Sequence, residues 1–126
     1  MTPQILVVDD DPVTSKLVTL LLRREGYEVI AARGSAAGLR VLNEIRPNLV
    51  ILDIMMPGMD GFEFCRLLRQ EYRSEELPVL MFSALGRPSD QRRGFEVGAD
   101  DYLIKPVNSR DLIDRVRSML FFAVGA

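Results

Sequence analysis

Five short apolar runs recur along the chain: QILVV (4–8), EVIAA (28–32), NLVILD (48–53), PVLMFS (78–83) and DYLIK (101–105). Each is too short for a helix, and three are near-continuously apolar, as strands covered on both faces are. The segments between them follow a different rhythm. Residues 12–25 carry Val13, Leu17, Leu20 and Leu21 at helical spacing and stop at Gly26. Residues 35–45 repeat it with Ala37, Val41, Leu42 and Ile45 before Pro47, and residues 61–73 with Phe62, Cys65, Leu68 and Tyr72. A fourth helix, about 89–97, is short and polar and ends at Gly98. The last, about 109–122, carries Leu112, Ile113, Val116, Met119 and Leu120. Strand and helix alternate throughout, so the pattern predicts a (βα)₅ domain: a doubly wound, five-stranded parallel sheet with helices on both faces.

Composition narrows this without redirecting it. The 126 residues make one domain by length, 1–126, with a core over about 1–120 and a tail over 121–126. A formal net charge of −2 and scattered Lys and Arg give no nucleic-acid surface. No run approaches the ~18 apolar residues of a membrane span, and the N-terminus does not read as a signal peptide. A single cysteine, Cys65, excludes an intramolecular disulfide and suits a reducing, cytoplasmic setting. The complete lack of histidine removes imidazole metal sites and Ser-His or Cys-His catalysis.

In an open parallel sheet, ligands bind beyond the carboxyl ends of the strands, where the strand order reverses. The first strand ends in Asp9, Asp10 and Asp11, the third in Asp53, the fourth in Ser83, and the fifth in Lys105 before Pro106. Taken singly, these are ordinary turn, cap and surface residues. Together they place carboxylates, a hydroxyl and an ammonium on the one rim where the fold expects a site. Oxygen donors without a His or Cys cluster suit a hard cation, Mg²⁺, with Mn²⁺ as the alternative ion. A hydroxyl and a lysine beside them suit the oxygens of a phosphoryl group. An aspartate can itself accept that group as an acyl phosphate. Asp11 has a different job: lying just before Pro12, it suits the N-cap of the first helix.

The acidic pair in ILVVDDDP, LVILDIMMPGMDG (49–61), VLMFSA (79–84) and GADDYLIKP (98–106) occur in this order and spacing. With them the chain resembles the receiver domain of bacterial two-component response regulators over essentially its whole length, a flavodoxin-like fold. The resemblance implies that Asp53 accepts a phosphoryl group from a sensor histidine kinase, a phosphotransfer protein or acetyl phosphate. It implies Mg²⁺ bound by Asp10, Asp53 and the backbone carbonyl of Met55, with Asp9 acting through a metal-bound water. Ser83 and Lys105 would hold the phosphoryl oxygens, and the Lys105–Pro106 bond would be cis. It further implies a switch in which Ser83 moves toward the phosphoryl group and Tyr102 follows into the vacated space. Such a domain is not an enzyme beyond its own phosphorylation and dephosphorylation. Met55 and Leu85 hold the two positions that tune acyl-phosphate lifetime in this family. Both are apolar, which implies slow loss.

The run RRGFEVGADDYLIKPVNSRDLIDRVRSML resembles most the receivers of winged-helix transcriptional regulators. That implies a homodimer on activation through the fourth helix, fifth strand and fifth helix. Phe95 and Ile113 would form an apolar patch, and Glu96, Asp100, Asp101, Asp111 and Arg115 reciprocal ion pairs. Gln91 departs from the basic residue usual there. The apolar tail MLFFAVGA stands where a polar linker to an output domain would begin. Two other readings remain at this stage. One is a haloacid-dehalogenase-like Mg²⁺ phosphatase using Asp9 as nucleophile, since Asp9-x-Asp11-x-Val13 resembles that motif. The other is a degenerate receiver that serves as a phosphate-independent binding module.

Overall fold

The computed structural model describes residues 2–123. Its elements run β1 (Gln4–Val8), α1 (Pro12–Arg24), β2 (Glu28–Ala32), α2 (Ser35–Glu44), β3 (Leu49–Leu52), α3 (Gly61–Glu71), β4 (Val79–Ser83), α4 (Pro88–Glu96), β5 (Asp101–Ile104) and α5 (Ser109–Ala123). All ten predicted elements are present, with ends within two residues of those expected. Residues 124–126 of the expected tail lie outside the described residues.

The sheet is parallel, in the order β2-β1-β3-β4-β5. Period-two alternation sends Leu6 and Val8 of β1 to one face and Ile5 and Val7 to the other. The first pair packs with Val50, Leu52 and Met81 against α2 and α3, through Leu42, Phe64, Cys65 and Leu68. The second packs with Ile51, Leu80 and Phe82 against α1 and α5, through Val18, Leu22, Leu112, Val116 and Leu120. Both faces are therefore dry, which is why β1, β3 and β4 read as continuous apolar runs. Each side chain of this size contributes roughly 1.5–3 kcal/mol on burial.

One sequence expectation needs correction. Val13, Leu17 and Leu20 of α1 are exposed, at 75%, 41% and 52%, although their spacing predicts a core-facing stripe. The buried face is instead Ser15, Val18, Thr19 and Leu22, an i, i+3, i+4, i+7 set rotated by about one position. Small polar side chains let this helix lie close to the sheet, so two of the four contact positions are hydroxyl residues that hydrophobicity alone does not select. The cap was legible: Asp11 is the N-cap of α1, accepting from the Val13 N–H at 3.1 Å and the Thr14 hydroxyl at 2.6 Å, with Pro12 opening the helix.

Candidate functional site

The strand order reverses between β1 and β3. Val8 pairs with Leu52, so Asp9 and Asp53 leave the sheet side by side. Backbone ties fix this exit: the Asp53 N–H donates to the Val8 carbonyl (2.9 Å) and the Asp9 N–H to the Ala32 carbonyl (3.1 Å). On the other side, Ser83 pairs with Ile104, and the Lys105 N–H donates to the Ser83 carbonyl (2.9 Å), which aims the lysine back across the rim. The Lys105–Pro106 bond is cis, as expected.

Carboxylate oxygens of Asp9, Asp10 and Asp53 lie within 4.8 Å of one another. Lys105 Nζ stands 2.9 Å from Asp9 Oδ2 and 3.5 Å from Asp53 Oδ2, and 5.5 Å from the centroid of the Phe82 ring. Asp9 and Asp53 are 2% and 5% exposed and Ser83 is fully buried, so this charge is held in a poorly solvated cleft. Burial pushes the Asp53 carboxyl up to about 6; the Asp9 charge adds to the rise and Lys105 opposes it. The second oxygen of Asp9 accepts from the Asp11 N–H at 2.9 Å, while Asp53 Oδ1 has a long contact to the Met55 N–H, 3.4 Å. Asp9 is thus the member of the trio with both oxygens firmly engaged, whereas Asp10 and Asp53 keep loosely held ones. Met55 itself is 56% exposed at the mouth.

The remaining sequence-predicted residues fall into two groups. Ser83 and Tyr102 are joined through a single residue: Ser83 Oγ accepts from the Leu85 N–H (3.3 Å), and the Tyr102 hydroxyl donates to the Leu85 carbonyl (2.5 Å). The Tyr102 ring is only 6% exposed, which pushes its phenol up to about 12. Its hydroxyl is held by the Leu85 carbonyl. On the α4-β5-α5 face, Phe95 and Glu96 are exposed and Ile113 is half-buried. Arg115 bridges Asp101 (2.8 Å) and Asp111 (3.4 Å) within the chain. Asp100 is engaged elsewhere, accepting from Arg69 (2.7 Å) and the Val79 N–H (2.8 Å).

Sequence reasoning passed over the residues that shape the loops around this rim. Gly61 opens α3 so close to the strand end that an added Cβ would overlap the Asp53 carbonyl oxygen and stand 2.6 Å from Ile54 Cα. Asp60 caps the same helix by accepting from the Glu63 N–H, 3.0 Å. Ser35, at the start of α2, ties down the β3-α3 loop by donating to the Met59 carbonyl, 2.5 Å. The string PGMDGFE carries the cap and the glycine as a signal; the Ser35 contact spans 24 residues and has none.

An open α/β sheet with a carboxylate trio and a lysine at its switch point defines a phosphoryl-binding class of protein. Residues 5–117 match the response regulator receiver domain family, and the chain belongs to it. It is 43% identical over 118 residues to the DNA-binding dual master transcriptional regulator RpaA of Synechocystis, covering 94% of this chain and 49% of that protein. It is 46% identical over 121 residues to the phosphate regulon transcriptional regulatory protein PhoB of Rhizobium meliloti, covering 95% and 53%. The chain spans about half the length of the curated relatives it matches. Among solved structures, a CheY-like receiver domain protein from Methanospirillum hungatei superposes with a TM-score of 0.92 at 30% identity, covering 99% of this chain and 98% of that one. The chemotaxis protein CheY4 of Vibrio cholerae gives 0.88 at 30% identity, covering 94% and 99%. The phosphatase and degenerate-module readings are not favoured.

Proposed function

We propose that this domain is a phosphorylation-activated switch whose phosphoacceptor is Asp53. The observation that carries this is the trio Asp9, Asp10 and Asp53 faced by Lys105, in which Asp53 combines burial, a lysine at 3.5 Å and a loosely held Oδ1. An Asp53 carboxylate oxygen attacks phosphorus in line, the bond from phosphorus to the donor nitrogen or oxygen breaks, and an acyl phosphate forms. Lys105 and Ser83 hold the transferred oxygens, and the work is positioning and charge neutralisation. Ser83 exchanges its Leu85 contact for a phosphoryl oxygen, and the backbone of Leu85 passes that change to Tyr102.

The donor set also fits a hard cation. Octahedral Mg²⁺ with bonds of ~2.0–2.1 Å spaces its ligand atoms ~3–4 Å apart, and three carboxylate oxygens within 4.8 Å match that span. Asp10, Asp53 and the Met55 carbonyl would hold it, with Asp9 acting through a water; Mn²⁺ suits the same oxygens. When bound, the ion offsets the crowded negative charge of the acids and the phosphoryl group.

A phosphohistidine on a sensor kinase or phosphotransfer protein is the donor we assign, in the cytoplasm. The exposed Val13, Leu17 and Leu20 of α1 support this, because that apolar row starts beside the Asp9–Asp11 rim and offers a docking surface for a helical donor. The response is read by an output domain or partner on the α4-β5-α5 face, not by nucleic acid on this domain. The chain turns over no other substrate.

Labelling tests the assignment. With acetyl phosphate and Mg²⁺, the wild type gains a phosphoryl label that persists for many minutes, since neither Met55 nor Leu85 can orient an attacking water. Asp53→Asn takes up no label, whereas Asp9→Asn takes it up more slowly. Label that survives Asp53→Asn and vanishes with Asp9→Asn restores the phosphatase reading.

A further inference from the structure

Glycine is the poorest helix-interior residue after proline, yet Gly94 stands buried inside α4 with an ordinary helical backbone. Its reason lies across on the sheet. A Cβ at this position would stand 2.9 Å from Met81 Sδ, and 3.1 and 3.2 Å from Tyr102 Cδ2 and Cε2. All three are inside the ~3.5–4.0 Å optimum for carbon contacts. Met81 and Tyr102 are register partners on β4 and β5, so neither strand can slip to make room. The ring is held on its far side too, by the bond from its hydroxyl to the Leu85 carbonyl.

We propose that Gly94 is a positioning residue for the switch: its missing side chain is the seat of the Tyr102 ring, and it sets how far that ring stays inside the domain. This rests on the reading of Ser83 and Tyr102 as the switch of an Asp53-phosphorylated receiver. A methyl group at position 94 leaves two exits. Met81 can bend its thioether, but it is fully buried. Tyr102 can rotate outward, and a groove of about 310 Å³ lined by Gln91, Ile104, Pro106 and Arg115 runs beside it to receive the ring. The second route breaks the Leu85 contact and severs Tyr102 from Ser83, although Gly94 touches neither Ser83 nor the carboxylates.

The chain has no tryptophan and three tyrosines, so Tyr27→Phe with Tyr72→Phe leaves Tyr102 as the sole reporter. In that background acrylamide quenches tyrosine emission weakly, and Gly94→Ala raises the quenching constant several-fold toward that of free tyrosine. A folded Gly94→Ala protein with unchanged quenching overturns the proposal. Melting supplies the second arm. Gly94→Ala lowers the melting temperature when Tyr102 is present, but leaves it equal or higher in a Tyr102→Ala background, because alanine is the better helix residue once the ring is gone. If Gly94→Ala fails to fold, a folded Gly94→Ala/Tyr102→Ala double variant still supports the seat, and a double variant that also fails to fold overturns it. Acetyl phosphate labelling of the wild type separates the two ideas: no label on Asp53 defeats the receiver reading, whereas normal labelling with unchanged quenching defeats only the role of Gly94.

Discussion

Asp53 is 5% exposed among Asp9, Asp10 and Lys105, and burial with the Asp9 charge pushes its carboxyl up to about 6. An unfolded aspartate releases its proton near pH ~3.9. Between about pH 4 and 6 the unfolded chain therefore gives up a proton that the folded domain keeps, and stability falls as pH rises through that window. Asp53→Asn removes the penalty. In EDTA, it should raise unfolding stability at pH 7 by about 2–3 kcal/mol, at ~1.4 kcal/mol per pH unit of proton affinity, and by little at pH 4. Urea titrations at the two pH values check this, and equal stability of mutant and wild type at pH 7 sinks it. At this scale most of the site was legible. Asp9, Asp10, Asp53, Ser83 and Lys105 each end a strand, so a correct strand list locates them. The partner of the Tyr102 hydroxyl was not legible, because the Leu85 carbonyl is 17 residues away and comes near only through loop packing. Gly94 was hidden for the same reason: nothing in RRGFEV says which ring the glycine faces.

Helix α1 shows where periodicity stops being informative. It carries two apolar stripes, Val18 with Leu22 and Val13 with Leu17 and Leu20, and only the first meets the sheet. The second is the larger, so hydrophobicity alone selects it. Ser15 and Thr19 are buried beside Val18 and Leu22 on the face turned to the sheet, a placement that a polarity pattern does not encode. The two stripes make opposite predictions. Leu22→Ala opens a cavity in the α1-α5 layer and should cost about 2–5 kcal/mol of unfolding free energy. Leu20→Ala should change stability by no more than about 0.5 kcal/mol, yet slow transfer from a phosphohistidine donor more than it slows acetyl phosphate labelling. A Leu20→Ala protein as unstable as Leu22→Ala would return that residue to the core. In α3 and α5 the predicted apolar residues Phe62, Cys65, Leu68, Leu112, Val116 and Leu120 are buried. In α2 the buried positions are instead Ser35 and Gly38, and the predicted Ala37, Val41 and Leu42 are half-buried. Helix α4, short and polar, was found from its end at Gly98.

At the scale of the whole molecule, the α4-β5-α5 face joins two kinds of ion pair, and they separate the predicted dimer residues. Arg69, only 14% exposed, donates to the Gly98 carbonyl (2.8 Å), the Leu77 carbonyl (2.7 Å) and Asp100 (2.7 Å), locking α3 to the starts of β4 and β5. Asp100 is thus part of an internal staple. Arg115 with Asp101 and Asp111 is instead a surface network, 38% exposed at the arginine, worth little by itself and cheap to exchange for the same partners on a second copy. Phe95, 47% exposed, and the half-buried Ile113 supply the apolar contact such an exchange needs. Beryllofluoride, which mimics the phosphoryl group on Asp53, should therefore shift the domain from monomer to dimer in sedimentation. Arg115→Ala should weaken that dimer roughly tenfold, equivalent to ~1.4 kcal/mol, with little change in melting. Asp100→Ala should do the reverse: it removes the carboxylate that Arg69 and the Val79 N–H share and costs about 1–3 kcal/mol of stability, while dimer affinity holds at temperatures where the variant is folded. A strict monomer at about 500 µM with beryllofluoride ends the dimer reading, and an Asp100→Ala variant that loses dimerisation without losing stability moves Asp100 from the staple to the interface.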